Sequence, residues 1–246
     1  MRARVVVAIL AALGAVGCEP AAKERRAAVR ELVDVATGGG ARYITLFDGV
    51  HYFNAADAEH GHELWRSDVT AAGTRMVADL NKGPADSYPS ELTVFGGRLV
   101  FAADGGSRGR ELWSSSGQAD GTALLADVQP GAGGSNPQGL TPCGPYLYFG
   151  ASTEISGHEL WRTDGTADGT LMLGDLTPGA DSSSLWGFEC GAAPGVLGFK
   201  LDRSGALDDD AGEEEVAEDW ESNGTPEGTA RVGGPRCESG APSPDD

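Results

Sequence analysis

Three groups of residues combine types and spacings that suggest chemistry. The segment Asp164-Gly165-Thr166-Ala167-Asp168-Gly169 offers closely spaced oxygen donors, so Asp164 and Asp168 are candidate calcium ligands. Glu63, Glu111 and Glu159 are carboxylates in identical Glu-Leu-Trp contexts. Glycoside hydrolysis would need two such groups facing one bond, about 5–10 Å apart. His60-Gly61-His62 and His158 carry imidazoles that could ligate a transition metal. No Gly-x-Ser-x-Gly elbow, His-Glu-x-x-His, P-loop or dinucleotide fingerprint occurs, and no serine, histidine and aspartate share a context that marks a nucleophile.

Each candidate also has a structural reading. The equivalents of the Asp/Gly segment are Asp68-Val69-Thr70-Ala71-Ala72-Gly73 and Ser116-Gly117-Gln118-Ala119-Asp120-Gly121, which lack ligand carboxylates. A hairpin turn needs only a hydrogen-bonding side chain and a glycine at positive φ, and every copy has both. A turn is therefore expected, with calcium confined to the third copy and no other cofactor. A glutamate that recurs once per unit implies a shared structural task, such as accepting backbone N–H groups or pairing with Arg66 and Arg162. His62 and His158 are equivalent, but Arg110 stands between them and cannot ligate zinc, so a repeated zinc site fails. Asp34, Asp79, Asp127 and Asp175 precede the turn leaving each unit and read as Asx-type caps.

These residues belong to a repeat. Glu63-Leu64-Trp65, Glu111-Leu112-Trp113 and Glu159-Leu160-Trp161 lie 48 residues apart, as do Phe53, Phe101 and Phe149 and the pairs beginning at Gly73, Gly121 and Gly169. The second unit reads as four strands, Glu91–Phe95, Arg98–Ala102, Arg110–Ser114 and Ala123–Val128, punctuated by glycines. Along a strand Leu faces one way and Glu and Trp the other, so both faces of the sheet must be covered. The expectation is an all-β chain, a small β-propeller of about four blades built from four-stranded units. The units span about 40–83, 84–131, 132–179 and 180–232. The fourth is degraded: its Trp220 follows Trp161 by 59 residues, with the acidic run Asp208–Glu215 inserted. Glu31-Leu32-Val33-Asp34-Val35, within 30–38, matches the fourth strand of a unit and would close the ring by pairing with the last blade.

The run from Glu159 to Thr170, followed by Asp175-Leu176-Thr177-Pro178-Gly179, resembles the ELW–TDGT–GT repeat of secreted bacterial proteins, over roughly residues 30–230. The turn also resembles the Asp-box of sialidase propellers, itself a structural hairpin. The repeat implies a cell-envelope protein with a binding or structural role and no activity of its own. Members usually carry more copies, which makes an open arc from a truncated propeller the rival architecture.

Residues 1–17 read as a signal peptide, with Arg2 and Arg4 before the apolar run Val5–Leu13. That run is too short to span a bilayer, which needs about 20 residues. Ala15-Val16-Gly17-Cys18 resembles a bacterial lipobox, which makes Cys18 the lipidated N-terminus, residues 18–29 a tether and Glu19 a pointer to the outer membrane. Three cysteines then remain in an oxidising compartment. Cys143 and Cys190 share the column of Phe47 and Phe95 and form one candidate disulfide; Cys190–Cys237 is the other.

The chain of 246 residues has a net charge of −19, and removing residues 1–17 leaves −21. Residues 202–246 hold fourteen acids and three bases, with 233–246 read as a disordered acidic tail. Nothing forms the basic stripe a nucleic-acid binder needs. Together the features describe a non-catalytic envelope lipoprotein, anchored by its lipid, that binds or scaffolds a protein or glycan partner. A glycan-acting propeller hydrolase and a repeat remnant without independent activity are the alternatives.

Overall fold

Glycine pairs and short polar turns cut the chain into strands of two to eight residues. The computed structural model describes residues 41–178, 184–202 and 217–232. The leader, Cys18, the tether, the strand expected at 30–38, the run Asp208–Glu215, Cys237 and the tail lie outside the described residues.

Four antiparallel sheets of four strands follow in chain order. Blade 1 comprises β1 (Arg42–Phe47), β2 (Val50–Asp57), β3 (Gly61–Ser67) and β4 (Arg75–Ala78). Blade 2 comprises β5 (Ser90–Phe95), β6 (Arg98–Asp104), β7 (Arg110–Ser115) and β8 (Thr122–Ala126). Blade 3 comprises β9 (Gln138–Cys143), β10 (Tyr146–Thr153), β11 (Gly157–Thr163) and β12 (Leu171–Met172). Blade 4 comprises β13 (Ser184–Cys190), β14 (Leu197–Asp202), β15 (Glu218–Ser222) and β16 (Thr229–Arg231). The chain is thus all-β, with blade-like propeller repeats.

In every blade the second and third strands pair a phenylalanine with a tryptophan: Phe53 with Trp65, Phe101 with Trp113, Phe149 with Trp161, Phe199 with Trp220. In blades 2 to 4 that pair lies on the face that meets the preceding blade. The opposite face presents Leu64, Leu112 or Leu160 to the next one. Tyr52, Leu64 and Val77 of blade 1 pack on Leu99, Phe101 and Ala103 of blade 2. Val100, Leu112 and Leu125 pack on Leu147, Phe149 and Ala151, and Tyr148, Leu160 and Leu173 pack on Leu197, Phe199 and Leu201. Glu63, Leu64 and Trp65, three consecutive residues of a two-faced strand, are therefore all buried. The first strands stand side by side in the order β1, β5, β9, β13. The Thr45 hydroxyl donates to the Leu92 carbonyl at 2.8 Å between two of them.

Blade 4 is the last of the described sheets. Where blade 3 pairs Gly150 with Leu160, blade 4 pairs Lys200 with Asp219. These two form a 2.7 Å ion pair with side chains 46% and 66% exposed. Among the described residues no further sheet covers this polar face. Among the described residues the blades meet in the order 1, 2, 3, 4, and no closed ring is seen. The fourth blade takes its fourth strand, β16, from its own unit. Cys143 and Cys190, at the ends of β9 and β13, form a disulfide with Cα atoms 5.2 Å apart, which excludes the Cys190–Cys237 pairing.

Leu112 has no exposed surface and sits between two blades. Leu112→Ala should cost about 3 kcal/mol in urea unfolding, through lost transfer energy and the cavity left behind. Asp219→Ala should cost under about 1 kcal/mol, because its ion pair is solvated. Equal costs would contradict stacking through this leucine.

Candidate functional site

The repeated glutamates hold the blade connections. Glu63 accepts from the Leu80 amide at 2.8 Å, the Asn81 amide at 3.4 Å and the Ser87 hydroxyl at 2.7 Å. Glu111 accepts from the amides of Val128, Gln129 and Ser135 and the Ser135 hydroxyl. Glu159 accepts from the amides of Leu176 and Thr177. All three are buried, with no surface open to solvent. Burial pushes the Glu63 carboxyl up to about 7, against the Leu80 amide, the Ser87 hydroxyl and the Asn81 amide, which favour the charged form. Glu111 is raised for the same reason. The expected pairing with Arg66 and Arg162 is not made. Arg66 donates to the Gly117 carbonyl at 3.4 Å and Arg162 to the Gly224 carbonyl at 2.6 Å, each in the next blade.

The candidate calcium segment is a closed turn. Asp164 accepts from the Thr166 amide at 2.9 Å and hydroxyl at 2.7 Å, and that hydroxyl in turn accepts from the Gly169 amide at 2.9 Å. Those bonds from Thr166 hold the Asp164 carboxyl below its ordinary range. Asp68 makes the same bonds in blade 1, and the neutral amide of Asn223 makes them in blade 4. An acceptor that works equally well uncharged is a turn element. A Cβ on Gly169 would lie 2.0 Å from Asp164, which explains why this position is glycine in every copy. Asp168 is exposed, and among the described residues no group of three potential metal ligands converges.

The histidines are separated by different partners. His60 bonds Asp57 at 3.0 Å, His62 bonds Asn54 at 2.8 Å and His158 bonds Ser152 at 3.0 Å. Asp79 accepts from the Gly83 amide at 3.3 Å, as a cap of the exit turn should. Asp127 lies 3.9 Å from Arg108 instead. Asp34 lies outside the described residues.

A cavity of about 390 Å³ opens where blades 1 and 2 meet, lined by Arg42, Tyr43, Asn54, His62, Tyr88, Ser90 and Arg110. The connection from blade 1 to blade 2 supplies Tyr88, whose ring stacks on His62 with centroids 4.8 Å apart. Arg110 reaches in from β7 and donates to the Tyr88 carbonyl at 2.8 Å, to the Ser90 hydroxyl and to the Ala102 carbonyl at 3.1 Å. Burial lowers its pKa from the ordinary value, and no carboxylate lies within ion-pair reach among the described residues. Asn54 donates to the Pro89 carbonyl at 3.0 Å, which turns its oxygen toward His62 Nδ1. Nδ1 therefore carries the hydrogen and Nε2 is left as an acceptor.

Only His62 and Arg110 of this cavity had entered the sequence argument, as occupants of one repeat column. The signal that could have found the rest is disagreement between copies. Forty-eight residues on, Arg42 becomes Ser90, Tyr43 becomes Glu91, Asn54 becomes Ala102 and Tyr88 becomes Asn136. Two members are also strained. Tyr43 and Tyr88 adopt φ of 55° and 45°, and the Tyr43 column is glycine at Gly139 and Gly187, both at 67°. A bulky residue in this region costs on the order of 1–3 kcal/mol, and such strain concentrates at functional sites.

No protein-family model matches the chain, and no curated protein matches its sequence. Among solved structures, one from a study of two prolyl endopeptidases is similar at a TM-score of 0.39 and 15% identity, over 67% of this chain and 24% of that one. This chain therefore spans about a quarter of that structure's length.

Two measurements separate structural from functional residues. The unfolded chain releases the Glu63 proton near 4.5 and the folded one near 7, so the native state binds more protons between those values. The resulting stability is present below about pH 4.5 and is lost as pH rises to 7. Urea midpoints of Glu63→Gln should decline less than wild type across that window; parallel declines would contradict a buried, raised carboxyl. Tyr43→Gly should leave stability unchanged or raise it by about 1 kcal/mol, since glycine relieves the left-handed strain. A loss of about 2 kcal/mol or more would make the ring structural.

Proposed function

We propose that this chain is a non-catalytic binding module of the bacterial cell envelope, anchored through Cys18, that takes a ligand in the cavity between its first two blades. The observation that carries the reading is the division of labour among the repeat columns. Glu63, Glu111 and Glu159 are occupied by backbone donors, whereas Arg42, Tyr43, Asn54 and Tyr88 differ from their equivalents and converge on one opening. Identical residues in every blade serve the task every blade shares. Residues that break the pattern at one seam are free to serve a task performed once.

The hydrolase alternative would require two carboxyls facing one bond. The residues lining the cavity include none, so they suit recognition better than acid–base cleavage of a glycoside. The lipobox-like Ala15-Val16-Gly17-Cys18 supports display from a membrane surface, with the outer membrane favoured by Glu19. No helix of the described residues is long and apolar enough to cross a membrane.

One expression experiment tests anchor and cavity together. The wild-type chain should stay with membranes after a high-salt wash and retain a component when protein and carbohydrate fractions of an envelope extract are passed over it. Cys18→Ser should release the chain to the soluble fraction without loss of retention. Arg42→Ala/Tyr88→Ala should stay on membranes and lose retention. A Cys18→Ser chain still held by membranes overturns the anchor. Retention unchanged by the double variant overturns the cavity.

A further inference from the structure

We infer that the cavity between blades 1 and 2 binds a sugar unit bearing an anionic group, with the anion held by Arg42 and Arg110 and the ring lying against Tyr43 and Tyr88. This rests on the binding-module reading above and names its ligand class.

Charge is the first argument. The chain carries −19, yet the seven lining residues include two arginines and no acid. Arg42 is exposed and makes no ion pair among the described residues. Arg110 is partly buried and spends its hydrogen bonds on two carbonyls and a hydroxyl, all neutral. Desolvating a guanidinium without a counter-charge is costly, and the usual resolution is an anion. Asp104 and Glu91 act on Arg110 only at longer range, without an ion pair, which leaves a place for an anion brought by a ligand.

The walls supply the second argument. Tyr43 and Tyr88 are 54% and 52% exposed, large apolar rings left in water at the rim of an opening. Stacking of Tyr88 on His62 fixes one ring in place, so little side-chain entropy remains to be lost on binding. Flat ring faces suit the C–H face of a saccharide, and the residual polar atoms suit its hydroxyls. The Asn54 bond leaves His62 Nε2 as an acceptor for one hydroxyl. Ser90, accepting from Arg110, still has its own hydrogen to donate to another. A simple inorganic anion would use the arginines and leave both tyrosines wet. A neutral sugar would use the rings and leave both cations uncompensated. At about 390 Å³ the cavity is at the small end of ligand sites, in keeping with one or two sugar units.

The test is calorimetric titration of the full chain in mild detergent with glucuronate, glucose 6-phosphate, glucose and inorganic phosphate. At least one charged sugar should bind at least tenfold more tightly than glucose and than inorganic phosphate, with an affinity that falls as salt rises. The two charged sugars decide whether a carboxylate or a phosphate is preferred; either supports the inference. Arg42→Ala and Tyr88→Ala should each weaken binding about tenfold. Arg75→Ala, the same loss of charge on exposed β4, should not. Equal affinity for glucose overturns the anionic requirement, and equal affinity for inorganic phosphate overturns the sugar. If neither charged sugar binds but cavity-dependent retention of an envelope component persists, the ligand class is wrong and the binding module stands. If that retention is also absent, both fall.

Discussion

Each of the first three blades has two apolar faces and cannot bury either of them by itself. Leu112 on one side of a strand and Trp113 on the other both need a neighbour, and only a sheet stacked on each face can supply it. This single requirement accounts for much of the rest. It makes the repeat period strict through the first three units, because the leucine of one blade must meet the Phe–Trp face of the next. The connection between blades must also be held rigidly, which is what the buried glutamates do by collecting amides 17 and 18 residues downstream. Blade 4 departs from this requirement: Lys200 and Asp219 replace the apolar pair and stay exposed.

Stacking also creates the opportunity for a site. Wherever two blades meet, one unit's connection crosses the other's strands, and the residues there are only partly needed for packing. At the first seam these freedoms are used for two arginines, a histidine and two tyrosines; at the second the same columns hold Glu91, Ala102 and Asn136. Glu91 illustrates the contrast. It shares the left-handed conformation of Tyr43, but its carboxylate accepts from the Gly139 amide at 3.0 Å and so ties β5 to β9. Tyr43 occupies the equivalent position with a ring that stays in solvent. A strained residue whose side chain packs on little is hard to explain by stability alone.

The electrostatic layout fits the same division. Acidic residues dominate the chain as a whole, and many are exposed turn elements whose oxygens cap nearby amides, as Asp68 and Asp164 do. Arg42 and Arg110, neither in an ion pair among the described residues, meet at one opening. In a protein repelling anions over most of its surface, a local cationic cavity is selective for an anion that also has a shape to match.

How much of this was legible from residues alone follows from what repeats. Glu-Leu-Trp at a fixed interval, alternating along a strand and punctuated by glycine, determined the all-β class, the four units, the two-faced packing and the structural nature of the glutamates and Asp/Gly turns. A column of residues, Phe47, Phe95, Cys143 and Cys190, even marked the two thiols that meet. These are local or periodic properties, and periodicity survives in one dimension. Only the tertiary structure decided that Arg66 and Arg162 reach the next blade rather than their own glutamates, that the fourth blade supplies its own fourth strand and leaves Lys200 and Asp219 exposed, and that Arg42, Tyr43, Asn54, Tyr88 and Arg110 surround one cavity. Those five come from three different strands and a loop, up to 68 residues apart. No spacing rule links them, because what brings them together is the angle at which one sheet lies upon another.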